Sequence, residues 1–251
     1  MSCLLQVRGL VKIFGALVAT NDLHLQVMPG EVHALIGPNG AGKSTLVAQL
    51  AGELAPDSGS ILFEGLDITN LPVPERVARG IVRSFQITSI FPQFSALTNV
   101  SLAVQARAGH SFKFWRDAST DPTLREPAQA LLDQVGLGVR GNVPAGELAY
   151  GEQRQLEIAM ALATKPHLLL LDEPLAGMGR EEARVIVDLL RRLRGGPTIL
   201  LIEHDMDVVF SIADRITVLV YGTAIATDRP DAIRANAEVQ QAYLGGEMDH
   251  A

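Results

Sequence analysis

Apolar positions recur with two periods along the chain. Leu5-Gln6-Val7 and Leu23-His24-Leu25-Gln26-Val27 alternate apolar and polar residues, the period-2 pattern of strands with one buried face. Met28-Pro29-Gly30 is a turn, and Glu31–Ile36 is a short apolar strand running into Gly37. After Lys43 the spacing becomes helical, through Leu46, Leu50 and Leu54, with Gly52 near the end. Pro56-Asp57-Ser58-Gly59 turns into a strand at Ser60–Phe63. From about Ile87 to Lys165 the pattern is mostly helical, with Pro and Gly interruptions; Leu131, Leu132 and Val135 share one face. Beyond Pro166, strands and helices alternate. Leu168–Leu171 and Thr198–Ile202 are apolar throughout, as in a parallel sheet buried on both faces. Between them Val185, Ile186, Leu189, Leu190 and Leu193 form a helical stripe. Glu181 and Glu182 come early in that segment and Arg191, Arg192 and Arg194 late, matching the helix dipole. The pattern predicts an α/β core, about 1–86 and 166–251, with a helical insertion at about 87–165. No internal repeat or low-complexity linker is visible.

Composition narrows the classes. The 251 residues are enough for one α/β domain with an insertion. Hydrophobic residues make up 47% and charged residues 20%, which excludes a disordered chain. Mean hydropathy of +0.20 points to a somewhat apolar surface, as in a protein that docks onto something. A net charge of −7 makes nucleic acid an unfavourable main partner. Cys3 stands alone, so no intramolecular disulfide forms, which fits a reducing compartment. No apolar run reaches the roughly 18 residues of a membrane helix. The N-terminus has no basic region followed by an apolar stretch, so no signal peptide is expected.

Three motifs carry chemistry. Gly37-Pro38-Asn39-Gly40-Ala41-Gly42-Lys43-Ser44 matches G-x-x-x-x-G-K-[ST] between a strand and a helix. Its glycines let backbone N–H groups curl around phosphate oxygens, and the helix N-terminus adds favourable partial charge. Lys43 is expected to neutralise the β- and γ-phosphates, Ser44 to ligate Mg²⁺ and Thr45 to support the α-phosphate. Leu168–Leu171 leads into Asp172-Glu173, placing two carboxylates at the carboxyl edge of the sheet, where ligands bind. Asp172 is expected to hold Mg²⁺, and Glu173 to polarise an attacking water. The third motif is Leu148-Ala149-Tyr150-Gly151-Glu152-Gln153-Arg154-Gln155.

With these motifs the chain resembles the nucleotide-binding subunit of an ATP-binding-cassette (ABC) transporter, from about Leu4 to Leu244. The resemblance implies a P-loop NTPase cassette with an inserted helical subdomain, ATP and Mg²⁺ as ligands, and Mg-dependent ATP hydrolysis. In that family the signature loop of one subunit, here Ala149, Tyr150, Gly151 and Glu152, caps the γ-phosphate bound to the other. Phe14 resembles the aromatic that stacks on adenine, its alternative being a core phenylalanine. Gln86, in Arg83-Ser84-Phe85-Gln86, resembles the glutamine that reaches Mg²⁺ and the attacking water. His204, after an apolar strand, resembles the switch histidine on the γ-phosphate. Tyr150–Ala159, Glu203–Val209 and the tail from Ile233 to Gly245 resemble the larger ATPase subunit of branched-chain amino acid uptake systems. Importers for urea and short amides are similar.

Two positions depart from the family pattern. Ala149 replaces the signature serine, forfeiting a hydrogen bond worth roughly 1.5–3 kcal/mol at that contact. Gly179 stands where the family usually has Asp or Asn. Both act on the composite dimer site, which fits a second ATPase subunit supplying the intact signature; a homodimer remains the alternative. The resemblance further implies membrane permease subunits that dock around Ile87–Leu97, where Ile87, Ile90, Phe91, Phe94 and Leu97 are apolar. These same side chains could instead form the core of the insertion. Phe112, Phe114 and Trp115, with Lys113 and Arg116, fit either packing in the insertion or contact with lipid headgroups. The expected location is the cytoplasmic face of the membrane, with a solute-binding protein as an indirect partner. A soluble ABC protein of translation or repair usually carries two cassettes or a long coiled coil. A degenerate, purely ATP-binding cassette conflicts with intact Glu173 and His204.

Overall fold

The computed structural model describes residues 3–84, 90–108 and 121–247, with side chains to residue 242. Two sheets form the frame. Strands β1 (Leu5–Phe14), β2 (Leu17–Val27), β4 (Ser58–Phe63) and β5 (Leu66–Asp67) make an antiparallel sheet in the order β2-β1-β4-β5. The second sheet has the order β10-β9-β3-β8-β7-β6. It contains β3 (Val32–Ile36), β6 (Ile81–Ser84), β7 (Leu168–Asp172), β8 (Thr198–Ile202), β9 (Arg215–Val220) and β10 (Thr223–Asp228). All of its pairings are parallel except the β9–β10 hairpin at one edge.

The continuous apolar runs follow from burial on both faces. Every residue of β3, β7 and β8 is buried. Leu169, Leu171, Ile199 and Leu201 face one core, shared with α3 (Ala96–Ala108), α4 (Pro122–Val135), α5 (Tyr150–Ala163) and α6 (Arg180–Arg192). Leu168, Leu170, Leu200 and Ile202 face the other, closed by α1 (Lys43–Ala51) and the antiparallel sheet. A third core packs Ala34, Ile36, Ile216 and Val218 against α7 (Met206–Ile212) and α8 (Pro230–Ala235). Helices α3, α4 and α5 pack on one another within the stretch where the spacing is mostly helical.

Three local expectations shift. Ile186, Leu189, Leu190 and Leu193 are buried at i, i+3, i+4 and i+7, but Val185 lies about 100° off that stripe and is exposed. Arg194 lies beyond the end of α6, where it pairs with Asp214 rather than serving the last turn. Leu54 lies outside α1, because Gly52 ends the helix in the left-handed conformation, φ 83°.

Arg76, at the buried face of α2 (Val73–Ala78), closes that end of α1. Its guanidinium is almost fully buried and donates to the carbonyls of Gln49, Leu50, Leu71 and Thr69 at 2.6–2.9 Å. Two of these lie in the last turn of α1, where Gln49 O otherwise accepts, among the described residues, only a 3.2 Å bond from Gly52 N, and burial lowers the Arg76 pKa from its usual value. Arg76→Met should cost about 3 kcal/mol, because it leaves buried carbonyls without donors. Denaturant unfolding of the two proteins measures the difference.

Candidate nucleotide site

The loop from Gly37 to Gly42 links β3 to α1. Its backbone passes where no side chain fits: a Cβ on Gly37 would sit 2.1 Å from the Leu219 carbonyl oxygen, and one on Gly42 2.1 Å from that of Ala19. Gly42 is the N-cap, in the left-handed region at φ 99°, with no side chain to cap the first-turn N–H groups. That arrangement suits phosphate oxygens. Lys43 is buried, and its ammonium donates to the carbonyls of Gly37 at 2.7 Å and Pro38 at 3.0 Å. Burial lowers its pKa, against the opposing pull of Glu173 and Asp172. Ser44 is exposed and Thr45 half-buried on the same turn.

Strand register brings the carboxylates to this loop. Ile202 pairs with both Leu35 of β3 and Asp172 of β7, so the three strands end level. Glu173 follows, its Oε1 at hydrogen-bond distance, 2.7 Å, from Nε2 of His204. Its backbone is left-handed, φ 47°, which costs a non-glycine residue about 1 kcal/mol or more. Asp172 is buried; its Oδ2 accepts from Arg83 at 2.7 Å, and its Oδ1 has no hydrogen-bond partner among the described residues. Arg83 also pairs with Glu53. Glu203 is buried and ties the loops after β7 and β8 together, accepting from Leu175 N at 2.9 Å and His204 N at 3.1 Å. Burial raises its pKa, and these two N–H groups partly oppose the rise.

A cavity of about 290 Å³ lies over the loop. Asn39 to Thr45 form its floor, Phe14, Leu17 and Ala19 one side, and Glu173 and His204 the other. Phe14 is 47% exposed, with the Lys12 ammonium 5.6 Å from its ring centroid, so it is not a core residue. Gln86 and Ile87 lie outside the described residues, as do Phe112, Lys113, Phe114, Trp115 and Arg116.

A family model described as ABC transporter matches residues 20–176. The chain belongs to the ABC transporter family. A second model, of the branched-chain amino acid ATP-binding cassette transporter, matches residues 225–249. The chain is 40% identical to the high-affinity branched-chain amino acid transport ATP-binding protein LivG of Escherichia coli K12, over 96% of this chain and 98% of the relative. It is 35% identical to the lipopolysaccharide export system ATP-binding protein LptB of Acidithiobacillus ferridurans, over 99% of both. The crystal structure of the ADP conformation of MJ1267, an ATP-binding cassette of an ABC transporter, superposes with a TM-score of 0.85 at 31% identity, covering 98% of this chain and all of that one. The cassette fold expected from the sequence is thus present.

The segment expected to be the signature stands apart from the cavity: none of Ala149, Tyr150, Gly151 and Glu152 lines it. Ala149 is the N-cap of α5, with extended backbone and no capping side chain. Only the returning half of the box forms, Ala149 N donating to Glu152 Oε2 at 3.0 Å. Gly179 repeats this at α6, donating to Glu182 Oε2 at 3.1 Å. The expected docking run divides. Leu97 is buried and Ile90 packs against the core, so neither is free for a partner, whereas Phe91 and Phe94 are exposed with ring centroids 5.7 Å apart.

The motifs do not single out Arg83 and Glu203, because the partners Glu53, Asp172 and Leu175 come from segments distant in sequence. Glu203 gives a pH prediction. Its folded-state pKa is raised, so its stabilising contribution is greatest while it is protonated and is lost as pH rises through that pKa. The stability difference between wild type and Glu203→Gln should therefore move in favour of wild type as pH falls from neutrality towards the ordinary carboxylate range. Denaturant unfolding of both proteins across that window reads it; a pH-independent difference contradicts it.

Proposed function

We propose that this chain is the ATP-hydrolysing subunit of an importer for branched-chain amino acids or related small solutes such as urea and short amides. The observation that carries the reading is the Glu173–His204 pair facing the Lys43–Ser44 helix start across one cavity. The loop binds the phosphates, Phe14 takes the adenine, Glu173 polarises the attacking water and His204 orients it on the γ-phosphate side. Gln86 is assigned there by resemblance. Among the described residues no cluster of three or more His, Cys, Asp or Glu could hold a metal. Mg²⁺ suits a different site, made mostly of nucleotide phosphates and water with one or two protein oxygens. Ser44 and the unpartnered Asp172 Oδ1 fit that role, with Gln86 beside them; the ion would neutralise phosphate charge.

The solute class rests on the C-terminal family match and on LivG. The chain is less identical to LptB, an export protein, at 35% against 40% for LivG. Permease subunits would dock near Phe91 and Phe94 and hold the chain at the cytoplasmic face of the membrane. Among the described residues no helix is long and apolar enough to cross a membrane. We assign about 1–86 and 166–251 to the core and about 87–165 to the helical subdomain. ATP would be buried between two subunits, and Ala149 with Gly179 favours a paralogue as the second. The solute-binding protein would act only through the permease, and nucleic acid has no part.

ATPase rate against protein concentration, with Mg²⁺, tests the reading, alone and with the paralogue. The expected rate rises more steeply than linearly and falls at least ~100-fold in Glu173→Gln. Undiminished turnover in Glu173→Gln, or none in any mixture, would overturn it.

A further inference from the structure

We propose that Arg154 is a positioning residue for Glu173, a step that rests on the ATPase reading above. The reason begins in the backbone. A left-handed non-glycine residue persists only where its surroundings over-determine it, and Glu173 is one. Its own carbonyl and those on either side all accept from one guanidinium. Arg154 Nε donates to the Pro174 oxygen at 3.2 Å. Its Nη2 donates to the oxygens of Asp172 and Glu173 at 3.3 Å each. In an extended strand successive carbonyls point to opposite sides, so three in a row cannot meet one donor. The chain must leave strand geometry at Glu173 for these bonds to form. Arg154 is itself buried and is held by Glu157, whose Oε2 accepts from Nη1 at 2.7 Å. The guanidinium offers a rigid planar fork of donors.

The position of Arg154 gives this clamp a use. It lies on α5, one turn from the signature residues at the N-terminus of that helix. A second tie runs in parallel: Tyr150 Oη donates to the Ala176 carbonyl at 3.2 Å. Helix α5 therefore holds the turn after β7 at two points, and a shift of the signature end reaches the backbone that aims Glu173 at His204. On its other side Glu157 walls a cavity of about 220 Å³ with Val82, Ala103 and Met160. Whatever fills that cavity meets the far end of the same ion pair. The Gly-rich loop stands on α1 and receives no hydrogen bond from Arg154 among the described residues. Loss of the clamp should therefore spoil turnover while leaving nucleotide affinity in place.

The test uses the full chain with two replacements. Arg154→Lys keeps a cation beside Glu157 but loses the fork. Arg154→Gln with Glu157→Gln removes the pair without stranding a buried charge. The readouts are kcat and KM for ATP, the Kd of trinitrophenyl-ATP, and amide hydrogen exchange. We expect kcat to fall at least ~10-fold with KM and Kd within ~2-fold of wild type. Exchange should quicken over residues 173–179 and stay unchanged over 43–51. Glu173→Gln added to Arg154→Lys should lower the rate no further than Glu173→Gln alone. Retained kcat, unchanged exchange over 173–179, or a joint rise of KM, Kd and exchange in α1 would overturn the proposal. Exchange needs no turnover, so a wild type inactive both alone and with the paralogue would refute the ATPase reading while the role of Arg154 is still decided.

Discussion

The parallel pairing of β3, β8 and β7 carries the rest of the structure. Leu35 and Asp172 both pair with Ile202, so three strands far apart in sequence stop at one level. The residues that leave them are Gly37 with its loop, Asp172 and Glu173, and Glu203 and His204. A one-residue slip in any pairing would exchange the two buried faces of that strand. Both faces are filled: Leu169, Leu171 and Leu201 enter one core, Leu168, Leu170 and Leu200 the other. Register is thus fixed by packing, and packing delivers the chemistry to a single edge.

That edge concentrates buried charge, which is costly unless each group is paired or hydrogen-bonded. Lys43 is satisfied by loop carbonyls, Arg154 by Glu157 and three carbonyls, and Glu203 by two N–H groups. Asp172 is satisfied on one oxygen only. An open carboxylate oxygen among the described residues marks where a cation would bind. The same network explains the left-handed backbone at Glu173, since the bonds around it require that turn.

Much of this was legible in the sequence, for a physical reason. The Gly-rich loop acts through local backbone geometry, which Gly37, Gly42, Lys43 and Ser44 encode within eight residues. Leu168–Leu171 and Thr198–Ile202 could be read as buried strands because both their faces are apolar. Arg76, Arg83 and Glu203 could not be read in this way. Each is a polar residue whose partners come from elements brought near only by folding. Val185 shows the limit of a stripe drawn by composition, since one position of rotation took it to solvent. Leu97 and Phe94 are both apolar in the run expected to dock, and only packing separates the buried one from the exposed one.

The central claim is that strand register builds one site from Ser44 and Asp172, 128 residues apart in sequence. Its most direct test is Mn²⁺ affinity, followed by electron paramagnetic resonance with a non-hydrolysable ATP analogue at saturation. Ser44→Ala and Asp172→Asn should each weaken the metal at least ~10-fold, and the double replacement should cost less than the product of the two. Metal affinity unchanged in either single variant, or fully independent effects in the double, would contradict the account.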